Sequence, residues 1–284
     1  MLGLKAAGMR LGGSEAAAKA RGVVRKAYKA SRLAMVPEWR AALRQGIAAT
    51  IEHDRLPLRR DFGTVIDVGA NRGQFALYSR VRFPEAEVYS LEPLAGPRAK
   101  MQALFEGDTR VHVIGKAAGE ARGGASLNVS KQDDSSSLLA MTEMQLKRYP
   151  DTAMAGTEAV EIDTLDAMFG EMELAGPVLL KLDVQGYELQ ALRGGRELLD
   201  RVDAVLTEAS FVAFYEGQAL FDELNQWLNE AGFHVVAGAM SAQAGGRWEQ
   251  GDFLYERVPG EPQVLREPQD ERVGRRRAAT TAAG

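Results

Sequence analysis

Acidic residues and a glycine turn, spaced as in a nucleoside site, carry the first chemical signal in the sequence. The run Asp67-Val-Gly-Ala-Asn-Arg-Gly73 follows a short apolar stretch and precedes a helical pattern, so it lies where a strand turns into a helix. Such a turn offers free backbone N–H groups. Glu92 ends the next apolar stretch, 19 residues after Gly73, and an acid there accepts both hydroxyls of a ribose.

The glycine spacing separates two ligands that carry adenosine. A dinucleotide fold needs three glycines, the middle one admitting a pyrophosphate, whereas this loop has only Gly69 and Gly73. Adenosine attached to a group without phosphate fits better, and S-adenosylmethionine is such a ligand. Asp67 is then expected to steer its methionine end through water or backbone. The alternative is that Gly69 only makes the turn.

Two later apolar stretches also end in charged residues. Lys181 and Asp183 lie two positions apart in one of them, so their side chains share a side of the strand, and Glu208 ends the next. Ligands of open α/β sheets bind beyond these strand ends, which makes Lys181, Asp183 and Glu208 candidate catalytic residues. Asp183 is the preferred proton acceptor, and with Glu208 it is a candidate Mg²⁺ ligand. The alternative for Lys181 and Asp183 is a structural ion pair.

The remaining polar and aromatic candidates are weaker. His53, His112 and His234 are interpreted as packed histidines, since no spacing suggests a hydrolase triad or a zinc site. The absence of cysteine excludes Cys–zinc sites, iron–sulfur clusters and thiol nucleophiles. Three aromatic residues after Glu208 either line an acceptor pocket or pack in the core: Phe211, Phe214 and Tyr215.

Alternating strand and helix patterns must position these residues. They predict a parallel sheet covered by helices on both faces. The last two strands are joined by residues 238–251, too few for a crossover helix, which predicts an antiparallel hairpin at the sheet edge. Residues 116–177 interrupt the rhythm and are expected to form an insertion that supplies part of the acceptor wall. The predicted strands are Thr64–Gly69, Glu87–Glu92, Arg110–Gly115, Val178–Asp183, Val202–Glu208, Phe233–Ala237 and Asp252–Arg257, and the predicted helices between them are Gly73–Arg82, Pro93–Phe105, Tyr187–Leu199 and Phe221–Ala231.

The first 60 residues differ in charge from the rest of the chain. They hold 13 Lys+Arg and 4 Asp+Glu, a net charge of +9, in a protein of 284 residues whose formal net charge is −4. Two helices are expected there, Ser14–Arg32 and Glu38–Glu52, the second with an apolar stripe. They are interpreted as a solvated pair docked on an acidic domain, with contact to an anionic surface as the alternative.

The chain is expected to divide into three parts. Residues 1–60 would be a basic helical extension that caps the cleft or mediates dimerisation, residues 61–258 a catalytic domain, and residues 259–284 a disordered tail. No run of about 18 apolar residues exists to span a membrane, and no apolar leader is visible. A cytoplasmic homo-oligomer is expected.

Four stretches resemble the FkbM family of S-adenosylmethionine-dependent O-methyltransferases. They are VIDVGANRGQFA (65–76), YSLEP (89–93), LLKLDVQGYELQALRGG (179–195) and LTEASFVAFYEGQALFDEL (206–224), while GDFLYER (251–257) resembles the family's last strand. The third stretch is specific to the family, and the first is shared by most class I methyltransferases. The resemblance covers about residues 62–257.

The resemblance implies a Rossmann-like class I methyltransferase fold with a seven-stranded, mostly parallel α/β sheet. It also implies methyl transfer to a hydroxyl of a small molecule, often a sugar or a polyketide-type product. An NAD-dependent oxidoreductase and a nucleic-acid methyltransferase that uses the basic N-terminus remain alternatives. By resemblance, cofactor contacts fall at Asp67, Gly69, Asn71, Gly73, Glu92 and Asp183, with further site roles for Gln185, Glu188 and Glu208.

Overall fold

A seven-stranded sheet forms the centre of the protein. The computed structural model describes residues 27–244 and 247–257. In chain order its strands are β1 (Thr64–Val68), β2 (Glu87–Leu91), β3 (Val111–Ile114), β4 (Ala117–Ala118), β5 (Gly123–Ser130), β6 (Met154–Asp163), β7 (Val178–Leu182), β8 (Ala204–Ser210), β9 (Phe233–Ala244) and β10 (Arg247–Arg257).

The strand order confirms the predicted fold. The large sheet runs β3-β2-β1-β7-β8-β10-β9, and a smaller sheet runs β4-β6-β5. Neighbours in the large sheet are parallel except β10, which is antiparallel to both β8 and β9. Every residue of β1 and β7 is buried, as expected of strands covered on both faces.

Strand register brings the chemical residues to one edge of the sheet. Val68 pairs with both Leu91 and Leu182 on the strands that flank β1. The residues that follow these strand ends therefore emerge side by side, at the point where the strand order reverses. They are Gly69, Glu92 and Asp183.

Helices cover the sheet, and two of the predicted ones end early. The expected helix over 187–199 breaks at Gly194 and Gly195. Glycine is required at 194, since a Cβ there would stand 2.0 Å from the carbonyl oxygen of Gly119. The expected helix over 38–52 stops at Leu43 and a turn follows at Gly46 (φ +75°). In chain order the helices are α1 (residues 27–35), α2 (Pro37–Leu43), α3 (Gln74–Arg82), α4 (Ala95–Leu104), α5 (Glu143–Arg148), α6 (Leu165–Phe169), α7 (Glu188–Arg193), α8 (Arg196–Leu199) and α9 (Phe221–Glu230).

The segment before β1 packs onto one face of the sheet. Leu33 and Trp39 share a buried core with Val65 and Phe75. The indole Nε1 of Trp39 also donates to the carbonyl oxygen of Leu77 on α3 (3.1 Å). A short 3-10 helix, Ile51–Arg55, then leads towards β1. The described part of this segment is therefore anchored beside α3 by apolar burial.

The structure contains both the interrupting region and the closing hairpin that the sequence suggested. The region 116–177 contains β5, β6 and α5. The hairpin is longer than predicted, since β9 runs to Ala244 and β10 begins at Arg247. Most of the stretch 238–251, expected to be a loop, is thus strand.

Two predicted features lie outside the described residues. The helix predicted over 14–32 does so in part, and the tail 259–284 does so entirely. None of the described helices is long and apolar enough to cross a membrane.

Candidate active site

A cavity of about 410 Å³ opens over the carboxyl ends of β1, β2 and β7. The turn after β1 forms its floor, with Gly69 at φ +82° and Asn71 at φ +49°. A Cβ on Gly69 would collide with the backbone of Asp183, so only glycine fits this turn. Gly73 (φ +85°) is the N-cap of α3 and does not line the cavity.

Glu92 closes one end of this cavity and is 6% exposed. Its two carboxylate oxygens accept the backbone N–H groups of Asn71 and Leu94, both at 2.8 Å. Burial outweighs these hydrogen bonds and raises the pKa of Glu92 to about 7. The two bonds fix the carboxylate beside the glycine turn, which is the geometry expected of a ribose acceptor.

Lys181 links two carboxylates at the centre of the site. Its ammonium lies 3.0 Å from Asp67 Oδ1 and 3.5 Å from Asp183 Oδ2. Burial acts to lower the pKa of Lys181, but the charges of Asp67 and Asp183 outweigh it and raise that pKa. Asp67 is fully buried behind the lysine and does not line the cavity. Asp183 does line it, with 43% of its side chain exposed.

Gln185 joins the strand-end carboxylates to each other. Its amide Nε2 donates to Asp183 Oδ1 (2.8 Å) and to Glu208 Oε2 (3.3 Å), while its Oε1 accepts the Tyr215 hydroxyl (2.9 Å). Gln185 adopts a left-handed backbone (φ +53°). Such strain in a non-glycine residue is typical of functional sites. The amide thus fixes the spacing between Asp183 and Glu208.

Two further glutamates hold protons more tightly than usual. Burial of its carboxyl, together with the charges of Asp183 and Asp252, raises the pKa of Glu208 well above its ordinary value. Glu188 accepts the backbone N–H groups of Val184 and Gly186 (3.0 and 3.2 Å), and its burial raises its pKa to about 7. Through these two hydrogen bonds the buried Glu188 side chain stabilises the turn after β7.

Two other cavities adjoin the first one, sharing Asp183 or Gln185 with it. One of about 760 Å³ lies between residues 28–55 and the β9–β10 hairpin, and is also lined by Asp183 and Glu208. A polar one of about 220 Å³ adjoins Glu208, Phe214 and Tyr215. Asp183 lines both larger cavities and thus stands at their junction. The interrupting region contributes Ser136 and Ser137 to the 410 Å³ cavity and Ser135 to the 220 Å³ cavity. Phe211 instead packs against the rings of Phe221 and Phe253.

His53 and Asp252 are site residues that the sequence reasoning missed. His53 is 6% exposed and its ring contacts Phe75 edge-on, so it is packed as predicted, yet it also lines both larger cavities. Its Nε2 lies 4.0 Å from Asp252 Oδ1. Burial, followed by the charge of Lys181, lowers the pKa of His53 to about 4. His112, by contrast, is not packed inside but half exposed on β3, beside Glu87 (2.8 Å).

The described residues do not support the candidate magnesium site. Across 27–244 and 247–257, no group of three or more histidine or carboxylate side chains is arranged to hold a metal ion. Asp183 and Glu208 instead share the amide of Gln185. The arrangement favours hydrogen bonding and proton transfer at these carboxylates.

Comparison with known proteins now assigns the family. The model described as "Methyltransferase FkbM domain" matches residues 67–235, more than half of the chain. The chain belongs to the FkbM methyltransferase family. The match includes the glycine turn, Glu92, Asp183 and Glu208, whereas His53 and Asp252 lie outside it. The family resemblance identified from sequence is confirmed.

Two curated relatives share sequence with this FkbM family member. One is 2-O-methyltransferase NoeI of Sinorhizobium fredii (strain NBRC 101917 / NGR234), 27% identical over 54% of this chain and 66% of the relative. The other is Methyltransferase 1 of Beauveria bassiana (strain ARSEF 2860), 29% identical over 52% of this chain and 65% of the relative. The chain therefore spans just under two thirds of the length of each.

Solved structures share a more distant likeness with the FkbM family member. The 1,6-didemethyltoxoflavin-N1-methyltransferase of Burkholderia thailandensis is 14% identical, with a TM-score of 0.40 over 86% of this chain and 89% of that one. Similarity at this level assigns no function to the chain.

Proposed function

We propose that this protein is an S-adenosylmethionine-dependent O-methyltransferase that methylates a hydroxyl of a small, sugar-containing acceptor. The observation that carries the proposal is the position of Asp183, at the junction of the 410 Å³ and 760 Å³ cavities. A methyl donor in the first cavity and a hydroxyl in the second would meet beside this carboxylate. Membership of the FkbM methyltransferase family supports the reaction class.

The residues around the 410 Å³ cavity fit an adenosine-bearing donor. The glycine turn leaves its floor bare, and Glu92 presents a fixed carboxylate to ribose hydroxyls. The side-chain oxygen Asn71 Oδ1 is buried at this turn and has no hydrogen-bond partner among the described residues. A ligand N–H group or a ribose hydroxyl would satisfy that oxygen.

The sulfonium of the donor supplies an electrophilic methyl group when bound. Asp183 is the residue proposed to take the proton of the acceptor hydroxyl, a role that contributes roughly 10²–10⁴-fold to such reactions. Lys181 and Gln185 hold the Asp183 carboxylate in place from two sides. Glu208, with its raised pKa, offers a second proton site bridged to Asp183 by the same amide.

Two observations bear on the nature of the acceptor. One relative carries the name 2-O-methyltransferase, which favours oxygen as the methylated atom. The 760 Å³ cavity is lined mainly by residues with polar or charged groups, beside apolar surface and one exposed aromatic ring, Tyr28, a combination that suits a sugar-containing ligand. Magnesium is not part of the proposal.

Calorimetric titration tests the cofactor first. Micromolar binding of S-adenosylhomocysteine without binding of NAD is expected, and Glu92→Ala should weaken it. Binding of NAD alone would overturn the proposal. Methyl transfer from labelled S-adenosylmethionine is then screened over glycosides, with aglycones and a tRNA pool as comparison arms. Transfer to nucleic acid alone would contradict the acceptor class and leave the cofactor assignment standing.

A further inference from the structure

One wall of the 410 Å³ cavity comes from residues that no comparison assigns. Lys29 on α1, and Thr50 and Glu52 at the start of the 3-10 helix, line this cavity and also border the 760 Å³ one. They precede residue 67, where the family match begins. The wall stands across from the glycine turn because the backbone N–H of Thr50 donates to the carbonyl oxygen of Gln74 at the start of α3 (3.4 Å).

These side chains carry complementary polar groups. Lys29 Nζ lies 2.7 Å from Glu52 Oε2, and both side chains stay more than one third exposed. Thr50 Oγ1 is buried yet has no hydrogen-bond partner among the described residues. A buried hydroxyl without a partner is costly, so this oxygen indicates a missing polar neighbour. The wall therefore offers a cation, an anion and an unsatisfied hydroxyl within one cavity.

We infer that Lys29, Thr50 and Glu52 bind the amino-acid end of S-adenosylmethionine, an inference that rests on the function proposed above. The ribose belongs at Glu92 and the sulfur near Asp183. The α-amino acid group extends from the sulfur on the side away from the ribose. Besides Lys181, three other charged residues line the cavity: Lys116 is paired with Asp163 (2.9 Å), Asp133 with Arg72 (2.6 Å), and Asp134 offers no cation for the ligand carboxylate.

The charges of an α-amino acid match those of the wall. The ligand ammonium donates to the Glu52 carboxylate and to Thr50 Oγ1, and the Lys29 ammonium donates to the ligand carboxylate. Each contact is a hydrogen bond to a charged group, the stronger class of such bonds. Asp67, which the sequence suggested for this end, lies behind Lys181 and reaches the ligand only indirectly.

A pair of ligands separates this inference from the proposed function. S-adenosylhomocysteine carries the amino-acid end, and 5′-methylthioadenosine carries the same thioether nucleoside without it. The variants Lys29→Met, Thr50→Val and Glu52→Gln are titrated with both ligands by calorimetry. We expect each variant to weaken S-adenosylhomocysteine at least about tenfold, as for a lost hydrogen bond to a charged group. Binding of 5′-methylthioadenosine should change by less than about twofold.

The matched control is Arg32→Met. Arg32 also joins α1 to the 3-10 helix, through Asp54 (3.1 Å), but it does not line the 410 Å³ cavity. It should therefore leave both affinities unchanged, so that a general loosening of α1 is recognised. Variants that bind S-adenosylhomocysteine normally, or that lose both ligands equally, would overturn the inference alone. A wild-type protein that binds neither ligand would overturn the proposed function as well.

Discussion

The carbonyl oxygen of Asp183 lies 2.0 Å from the point that a Cβ on Gly69 would occupy. The two residues follow adjacent parallel strands, and the backbone N–H of Asp183 donates to the carbonyl oxygen of Val68 (3.0 Å). The turn that faces the proposed cofactor and the residue proposed to take the proton are thus in direct backbone contact. A change at one is transmitted to the other.

Replacing Gly69 by alanine should therefore damage both turns. The added methyl group collides with backbone, and the φ of +82° disfavours any L side chain. We expect a loss of about 2 kcal/mol or more in the free energy of unfolding and loss of S-adenosylhomocysteine binding. Urea unfolding and calorimetry measure the two effects. Gly96→Ala on α4 is the control, since nothing lies within 4 Å of its Cβ position; equal effects of both variants would contradict the explanation.

Asp183→Asn should separate chemistry from binding. Asparagine keeps an oxygen for the Gln185 amide but cannot take a proton. We expect the turnover number to fall by roughly 10²-fold or more, with the dissociation constant of S-adenosylhomocysteine within about threefold of the wild type. Asp222→Asn, an exposed site on α9, serves as the comparison. Near-normal turnover of Asp183→Asn would remove Asp183 as the proton acceptor.

The pKa of Glu188 predicts how stability changes with pH. Burial raises this pKa from 4.5 to about 7, so the folded protein binds the proton more tightly than the unfolded chain does. The resulting stabilisation is present below about pH 4.5 and is lost as the pH rises through about 7. Glu188→Gln removes that loss because glutamine stays neutral.

Urea unfolding at pH 5 and pH 8 measures this effect. The stability of Glu188→Gln relative to the wild type should rise by up to about 3 kcal/mol from the lower to the higher pH. Glu197→Gln, at an exposed site on α8, should leave the pH dependence unchanged. A pH-independent difference between Glu188→Gln and the wild type would refute the assignment.

An ion pair ties the interrupting region to the glycine turn. Arg72 Nε donates to Asp133 Oδ2 at 2.8 Å, and a terminal guanidinium nitrogen donates to the same oxygen at 2.6 Å. Asp133→Ala should speed amide hydrogen exchange over residues 131–137 by roughly fivefold, the effect of losing about 1 kcal/mol locally. Asp61→Ala, which breaks the exposed pair with Arg59, should leave that segment unchanged. Exchange unaltered by Asp133→Ala would show that the pair does not hold the region.

The sheet could be predicted from the sequence because its central strands are buried on both faces. Their continuous apolar runs end abruptly in a glycine or an acid, so Gly69, Glu92 and Asp183 could be found at strand ends without knowledge of the packing. Glu208 is also expected to end its strand, but β8 continues to Ser210 because it pairs with β10. The early helix ends also had a local signal. Gly46, and the consecutive glycines at 194 and 195, stand inside the stretches expected to be helical.

The parts of the cavities formed by residues 28–55 and by the β9–β10 hairpin could not be predicted in this way. His53 and Glu52 reach the cavities because the apolar face around Trp39 packs on α3, and Asp252 arrives on an antiparallel strand from the end of the described chain. None of these three positions has a local pattern that distinguishes a cavity residue from a solvated or packed one. Such contacts depend on tertiary packing between segments far apart in sequence.

The 760 Å³ cavity takes most of its walls from residues 28–55 and 239–252, on either side of the family match over 67–235. Two chains can therefore share every recognisable family motif and still present unrelated surfaces to their acceptors. Acceptor selectivity in such a scaffold is free to diverge while the glycine turn, Glu92 and Asp183 stay constant. If the proposed acceptor site is right, exchanging residues 239–252 between family members would change acceptor preference and leave the donor cavity intact, because these residues line the 760 Å³ cavity and not the 410 Å³ one.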